Sequence, residues 1–154
     1  MKALVIYDSY FGNTETVAKA IAAELESQGE VLVKKVTEAA PADLEGVTLF
    51  VVGSPTRAFK PTAVISNFIK VLPAQGLKGV RVAGFDTRVE GEDAPKLFRT
   101  MIQKWYAAKP IDKALQKKGG ESVLPPDGFY VAGEKGPLLE GELERAKEWA
   151  RAVL

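Results

Sequence analysis

Residues 3–14, ALVIYDSYFGNT, read as a buried strand that runs straight into a tight turn and the start of a helix. Ala3–Tyr7 is continuously apolar, which is the pattern of a strand covered on both faces. The turn that follows, Asp8-Ser9-Tyr10-Phe11-Gly12-Asn13-Thr14, has the chemistry to hold a phosphate monoester. Ser9, Asn13 and Thr14 can offer side-chain donors, and Gly12 lets the backbone bend closely around an anion. The free N–H groups of the first helical turn point back at the same place. On these residues alone, a simple helix cap and chain reversal accounts for the turn equally well, because small polar residues are common between strands and helices. No lysine lies between Asp8 and Val17, so an anion here would be held mainly by neutral donors. The G-x-G-x-x-G and G-x-x-x-x-G-K-[ST] patterns are both absent, which argues against a dinucleotide-binding turn and against a nucleoside triphosphatase.

Outward from this turn, strands and helices alternate. Val47–Val52 (VTLFVV) and Val80–Phe85 (VRVAGF) are further buried runs, and Glu30–Val36 (EVLVKKV) is polar enough to lie nearer a sheet edge. Phe129–Ala132 (FYVA), with or without Glu121–Leu124 ahead of it, supplies a fifth strand. Val17, Ala18, Ile21, Ala22 and Leu25 form a helical stripe that stops at Gly29. Pro61 opens a second helix, lined by Val64, Ile65, Phe68, Ile69 and Leu72. Leu97, Met101, Ile102, Trp105 and Tyr106 mark a third, with Trp105 and Tyr106 read as core or groove-filling residues. Pro110 separates it from a short helix, Ile111–Lys118. Pro137 opens the last helix, lined by Leu139, Leu143, Ala146, Ala150 and Val153. The pattern predicts one α/β domain over residues 1–154: a doubly wound five-stranded parallel sheet with helices on both faces.

Composition narrows the chemistry. The 154 residues suit one domain with a sizeable core. The chain has no cysteine and no histidine, which excludes disulfides, thiolate catalysis, histidine triads and histidine proton shuttles. Its 21 basic and 20 acidic residues are mixed along the chain, so no basic stripe marks a nucleic-acid partner. No run approaches 18 apolar residues, and a cytoplasmic protein with neither leader nor membrane span is expected.

Several of these segments resemble the flavodoxin family. Ser9–Thr14 resembles that family's phosphate loop: serine or threonine, two variable positions, glycine, a further residue and threonine. Gly53-Ser54-Pro55-Thr56 resembles the start of the first flavin-flanking loop, and Gly84-Phe85-Asp86-Thr87-Arg88 stands in register with the second. The stretch Gly133–Trp149 is similar to the tail of several small members. The resemblance covers all five strands and fits the short-chain form.

The resemblance implies that flavin mononucleotide (FMN) is the cofactor, its phosphate held by Ser9, Tyr10, Phe11, Gly12, Asn13 and Thr14. The ring would lie between Ser54, Pro55, Thr56, Arg57, Ala58 and Phe59 on one side and Asp86, Thr87, Arg88 and Gly91 on the other. Arg57 would sit over the ring or near the phosphate, while Phe59 would pack beside the ring or anchor its loop in the core. No catalytic side chain and no metal site are implied. Two departures stand out. Typical members place a tyrosine on the outer ring face, but none lies between Phe85 and Lys96, which leaves that face either more exposed to solvent or covered by the stem of Arg88 or by a partner. The family commonly has glycine in the first loop, yet none occurs from Ser54 through Gln75, so weaker stabilisation of the one-electron reduced form is expected.

As to function, the resemblance implies an electron carrier that shuttles reducing equivalents between a reductase and an acceptor in transient complexes, and whether the chain is also an enzyme stays open. A monomer or weak homodimer is expected, with neither nucleic acid nor membrane as a partner. The alternatives are a small FMN-dependent reductase passing a hydride from a nicotinamide cofactor to a quinone, and a flavin-sensing interaction protein.

Overall fold

The computed structural model describes residues 1–57, 60–89 and 106–154. The expected third helix, with Leu97, Met101, Ile102 and Trp105, lies outside the described residues. Elsewhere the alternation becomes a six-stranded, wholly parallel sheet. Its strands are β1 (Lys2–Tyr7), β2 (Glu30–Lys35), β3 (Leu49–Pro55), β4 (Arg81–Val89), β5 (Glu121–Ser122) and β6 (Asp127–Val131). The order is β2-β1-β3-β4-β5, with β6 also on β4. Val5 pairs with Val33 on one side and Val51 on the other, which makes β1 a central strand and explains its unbroken hydrophobicity.

The fifth position of the sheet is shared by two short strands. β5 lies beside the start of β4, where Arg81 faces Glu121, and β6 beside its end, where Phe85 to Val89 face Asp127 to Val131. Pro125 and Pro126 lie between them, and neither has an N–H for a ladder, so the pairing breaks there.

Alternate side chains of each strand reach opposite layers. Ala3, Val5, Val51 and Phe85 pack with Val17, Ile21 and Leu25 of α1 (Asn13–Leu25) and with Trp149 and Ala150 of the C-terminal helix. Leu4, Ile6, Phe50 and Val52 pack against Ile65 and Ile69 of α2 (Ala63–Lys70) and Ile111 and Leu115 of α3 (Ala108–Lys117). In the first layer the rings of Phe85, Phe129 and Trp149 meet at tilted and edge-on angles, their centroids 6.1 to 6.2 Å apart.

Four boundaries correct the sequence reading. β4 does not end at Phe85 but continues to Val89, so Asp86, Thr87 and Arg88 are strand residues and not the start of a loop. α2 is capped by Thr62, whose hydroxyl accepts the Ile65 N–H at 3.5 Å, and Pro61 lies before the cap. α3 begins at Ala108 and takes Pro110 into its first turn, where the missing N–H is one that the helix leaves unpaired anyway. The last helix, α4 (Glu142–Arg151), starts after Gly141 and not at Pro137. The segment before it folds back along β6 instead, with Ala132 N–H donating to Pro137 O and Leu139 N–H to Tyr130 O, both at 2.9 Å. Leu143 is consequently exposed, and Trp149 fills the buried face.

α4 is tied to β6 by charge. The Glu142 carboxylate accepts the Tyr130 N–H at 2.8 Å and two Arg145 N–H groups, at 3.0 and 2.8 Å; Arg145 also donates to Asp127 at 2.8 Å and to the Gly128 carbonyl. Burial alone would push the Glu142 carboxyl up, but Arg145 and the Tyr130 N–H outweigh it and hold the group below its ordinary value. Because the folded value is depressed, the stabilisation is present above the ordinary glutamate range near about 4.3 and is lost as pH falls through the folded value. Glu142→Gln is therefore expected to cost about 1 kcal/mol at neutral pH, a difference that closes on acidification. Urea unfolding of the two proteins at neutral and acid pH reads it directly. A penalty independent of pH would mean that shape, not charge, holds the helix.

Candidate functional site

The turn after β1 is shaped by its backbone. Gly12 has φ 91°, in the left-handed region, and an added Cβ there would meet nothing within 4 Å, so the angle and not the space calls for glycine. Ser9 N–H donates to Asp8 Oδ1 at 2.9 Å, and Gly12 N–H to Ser9 Oγ at 3.0 Å. Thr16 closes the first helical turn, its N–H and hydroxyl both donating to the Gly12 carbonyl, at 3.0 and 2.8 Å. Among the described residues, the N–H groups of Tyr10, Phe11, Asn13, Thr14 and Glu15 meet no protein acceptor. They gather at the positive end of α1, where an anion is favoured.

Thr87 joins this turn to the end of β3. Its hydroxyl lies 2.7 Å from that of buried Thr14, and its carbonyl accepts the Thr56 N–H at 2.9 Å. The Thr56 hydroxyl in turn accepts the Ala107 N–H at 3.2 Å, which fixes the entry to α3. Ser54 faces inward: its hydroxyl donates to the Pro55 carbonyl at 2.8 Å and accepts the Thr62 N–H at 3.0 Å. Beyond β3, Arg57 and Lys60 exchange two backbone hydrogen bonds, each of 2.9 Å.

Two arginines stand beside these groups in different states. Arg88 donates from Nε and Nη2 to the two oxygens of Asp86 at 2.7 and 2.6 Å, and its guanidinium lies 3.9 Å from the centre of the Tyr106 ring. Asp86 is fully buried and also accepts the Ala108 N–H at 2.9 Å. Burial raises its carboxyl above the ordinary range, against the pull of Arg88 and of that N–H. Burial likewise raises the Tyr106 phenol, against the Arg88 charge. Arg57 is more exposed; it lies over the Tyr10 ring at 4.9 Å and pairs with Glu134 at 3.0 Å.

One pocket gathers most of these groups. Ser9, Tyr10, Phe11, Asn13 and Thr14 line it from the turn, Pro55, Thr56 and Arg57 from the end of β3, and Thr87 and Arg88 from β4. Gly12 shapes its backbone, while Ser54 and Asp86 are turned away into internal hydrogen bonds. Ala58, Phe59 and Gly91 lie outside the described residues. Sequence reasoning missed Val89, Val131 and Glu134, which complete the lining. Val131 and Glu134 follow from β6 lying beside β4, a pairing that no local pattern announces. The donor set fits a phosphate monoester, with unpartnered N–H groups at a helix start and two wall segments that leave room beside it.

The family model described as Flavodoxin matches residues 5–149. Solved structures share the fold over nearly the whole chain. A flavodoxin from the domain Archaea is 20% identical with a TM-score of 0.76, covering 99% of this chain and 96% of its own. Flavodoxin 2 of Bacillus cereus, in its oxidised form, is 24% identical with a TM-score of 0.75, over 99% and 97%. The flavodoxin of Streptococcus pneumonia TIGR4 is 18% identical with a TM-score of 0.75, over 99% and 97%.

The site leans on the Asp86–Arg88 pair. Asp86→Ala leaves a largely buried guanidinium without its carboxylate and is expected to lower the unfolding free energy by roughly 3–5 kcal/mol. Denaturant titration measures this, and a loss under about 1 kcal/mol would show that the pair does not hold the end of β4.

Proposed function

This chain belongs to the flavodoxin family, and we propose that it is a carrier that moves electrons between a reductase and an acceptor and has no turnover chemistry of its own. As a member it is an FMN-binding electron-transfer flavoprotein. The bound flavin supplies the redox chemistry, and the protein supplies orientation, shielding and charge.

The observation that carries the site assignment is the set of unpartnered N–H groups from Tyr10 to Glu15, opening on the same pocket as the ends of β3 and β4. In this reading those N–H groups, with Ser9, Asn13 and Thr14, hold the phosphate. Thr14 needs only one direction of its hydroxyl bond for this: if Thr87 donates to Thr14, the Thr14 proton is left for the phosphate. Pro55, Thr56 and Arg57 flank the ring on one side, and Thr87, Arg88 and Val89 on the other. Arg88 is held by Asp86 and Tyr106, so its guanidinium serves as a fixed wall.

The carrier reading is supported by the titratable side chains of the pocket. Among the described residues they are Tyr10, Arg57, Arg88 and Glu134, and the two arginines are already paired with carboxylates. In this reading the two arginines bind and orient the flavin and move no proton. The reductase and acceptor would meet the protein in small, short-lived complexes.

Two measurements test this reading. Calorimetric titration is expected to give tighter binding of FMN than of riboflavin. Thr14→Ala is expected to weaken FMN by roughly 1–3 kcal/mol, the cost of an unmet hydrogen bond to a charged group, while barely changing riboflavin. Equal affinities for the two flavins would contradict the phosphate assignment. The FMN-loaded protein alone is expected to show negligible oxidation of nicotinamide cofactors with quinones, and to pass electrons only when a separate reductase is added. Rapid turnover by the protein alone would make it a reductase.

A further inference from the structure

The charge of the pocket is set by a pair of residues that no motif of the phosphate turn contains. Among the described residues, the charged side chains lining the pocket are Arg57, Arg88 and Glu134. Arg88 is committed: its side chain is 10% exposed, held by both oxygens of a fully buried carboxylate and packed against the Tyr106 ring. Arg57 is not. Its side chain is 45% exposed, and its partner Glu134, at 3.0 Å, is 66% exposed. An ion pair so open to water is weak and readily exchanged.

The geometry keeps that exchangeable cation at the cradle. Arg57 leaves the end of β3 and lies 4.9 Å over the ring of Tyr10, a residue of the phosphate turn itself. Glu134 approaches from the opposite wall, in the loop after β6, which packs on the same turn. A Cβ at Gly136 would fall 2.5 Å from Asn13 Oδ1, so the loop and the turn are in close contact. The backbone bonds Gly136 N–H to Gly133 O and Ala132 N–H to Pro137 O, each 2.9 Å, hold the loop in shape.

We propose that Arg57 and Glu134 together set how strongly a flavin phosphate is preferred: Arg57 brings an exchangeable guanidinium to the phosphate cradle, and Glu134 holds it back by parking it beside the turn. A phosphate monoester carries nearly two charges at neutral pH, and riboflavin carries none. The dianion competes with a carboxylate for the guanidinium, because the attraction scales with charge. Arg57 therefore raises the preference for FMN over riboflavin, and Glu134 lowers it by the cost of releasing the guanidinium. The inference rests on the reading that the flavin phosphate binds in the turn.

The test is a double-mutant cycle on the whole chain, titrated with FMN and with riboflavin. Glu134→Gln frees Arg57 and is expected to tighten FMN by roughly two- to fivefold. Arg57→Gln is expected to weaken FMN by roughly tenfold, and to flatten its salt dependence. The double variant is expected to match Arg57→Gln, because Glu134 acts through Arg57, and riboflavin is expected to bind all four proteins alike. Thermal melts confirm that each variant is folded. Glu134→Gln leaving FMN unchanged would overturn the inference. So would tightening of FMN by Glu134→Gln in the Arg57→Gln background, which would mean that Glu134 merely repels the phosphate. Failure of the unaltered chain to prefer FMN to riboflavin would overturn the phosphate reading itself, before any variant is compared.

Discussion

The structure around the site depends on the burial of one ion pair, Asp86 with Arg88. A carboxylate with no exposed surface is costly unless its oxygens find donors, and here two guanidinium N–H groups and the Ala108 N–H serve both of them. Satisfied in this way, Asp86 lets β4 run four residues past Phe85 while still pairing with β3 and β6. Space for the arginine comes from Gly128 on β6, where an added Cβ would fall 1.9 Å from Arg88 Nε. Thr87, held between the two members of the pair, is thereby brought against both Thr14 and Thr56. The turn after β1, the end of β3 and the start of α3 are thus connected through one strand residue.

The remaining walls follow from sheet topology. Because β1 is central, its C-terminal turn opens at the middle of the sheet, next to the ends of β3 and β4. Ligands gather at the C-terminal ends of strands in doubly wound sheets, and the flavodoxin order is itself a standard instance of that rule. What this chain adds is local: β6 sits against the extended part of β4, and its return loop brings Val131 and Glu134 to the pocket. The two arginines of the site then differ by environment. Arg88 is immobilised by a buried partner, and Arg57 is held by an exposed one.

Much of this was legible in the residues. The unbroken apolar runs of Ala3–Tyr7 and Val47–Val52 identified strands covered on both faces, and Glu30–Val36 was recognisable as the edge from its lysines and glutamate. The turn Ser9–Thr14 could be placed at a helix start from Gly12 and its small polar neighbours. The errors share a cause, which is that partners distant in sequence change what a residue can do locally. Asp86-Thr87-Arg88 reads as a polar loop until Arg88 is seen to neutralise Asp86 beneath Tyr106. Pro137 reads as a helix start because its ring suits a first turn, yet Leu138 and Leu139 gain more by pairing back onto β6. Pro110 reads as a break, although a helix tolerates proline before its own hydrogen bonds begin. Glu134 carries no local signal at all, since its partner Arg57 lies 77 positions away.

The central claim is that the extension of β4 over residues 86–89 is built into the protein and holds the site ready before the cofactor arrives. Amide hydrogen exchange on the cofactor-free chain tests it most directly, because exchange reports whether a backbone segment opens with the core or ahead of it. The account predicts that the hydrogen-bonded amides of residues 86–89 are protected to about the level of those in Val51–Gly53. Exchange as fast as that of an exposed loop, slowed only on addition of FMN, would contradict it and return Asp86–Val89 to the loop that the sequence alone suggests.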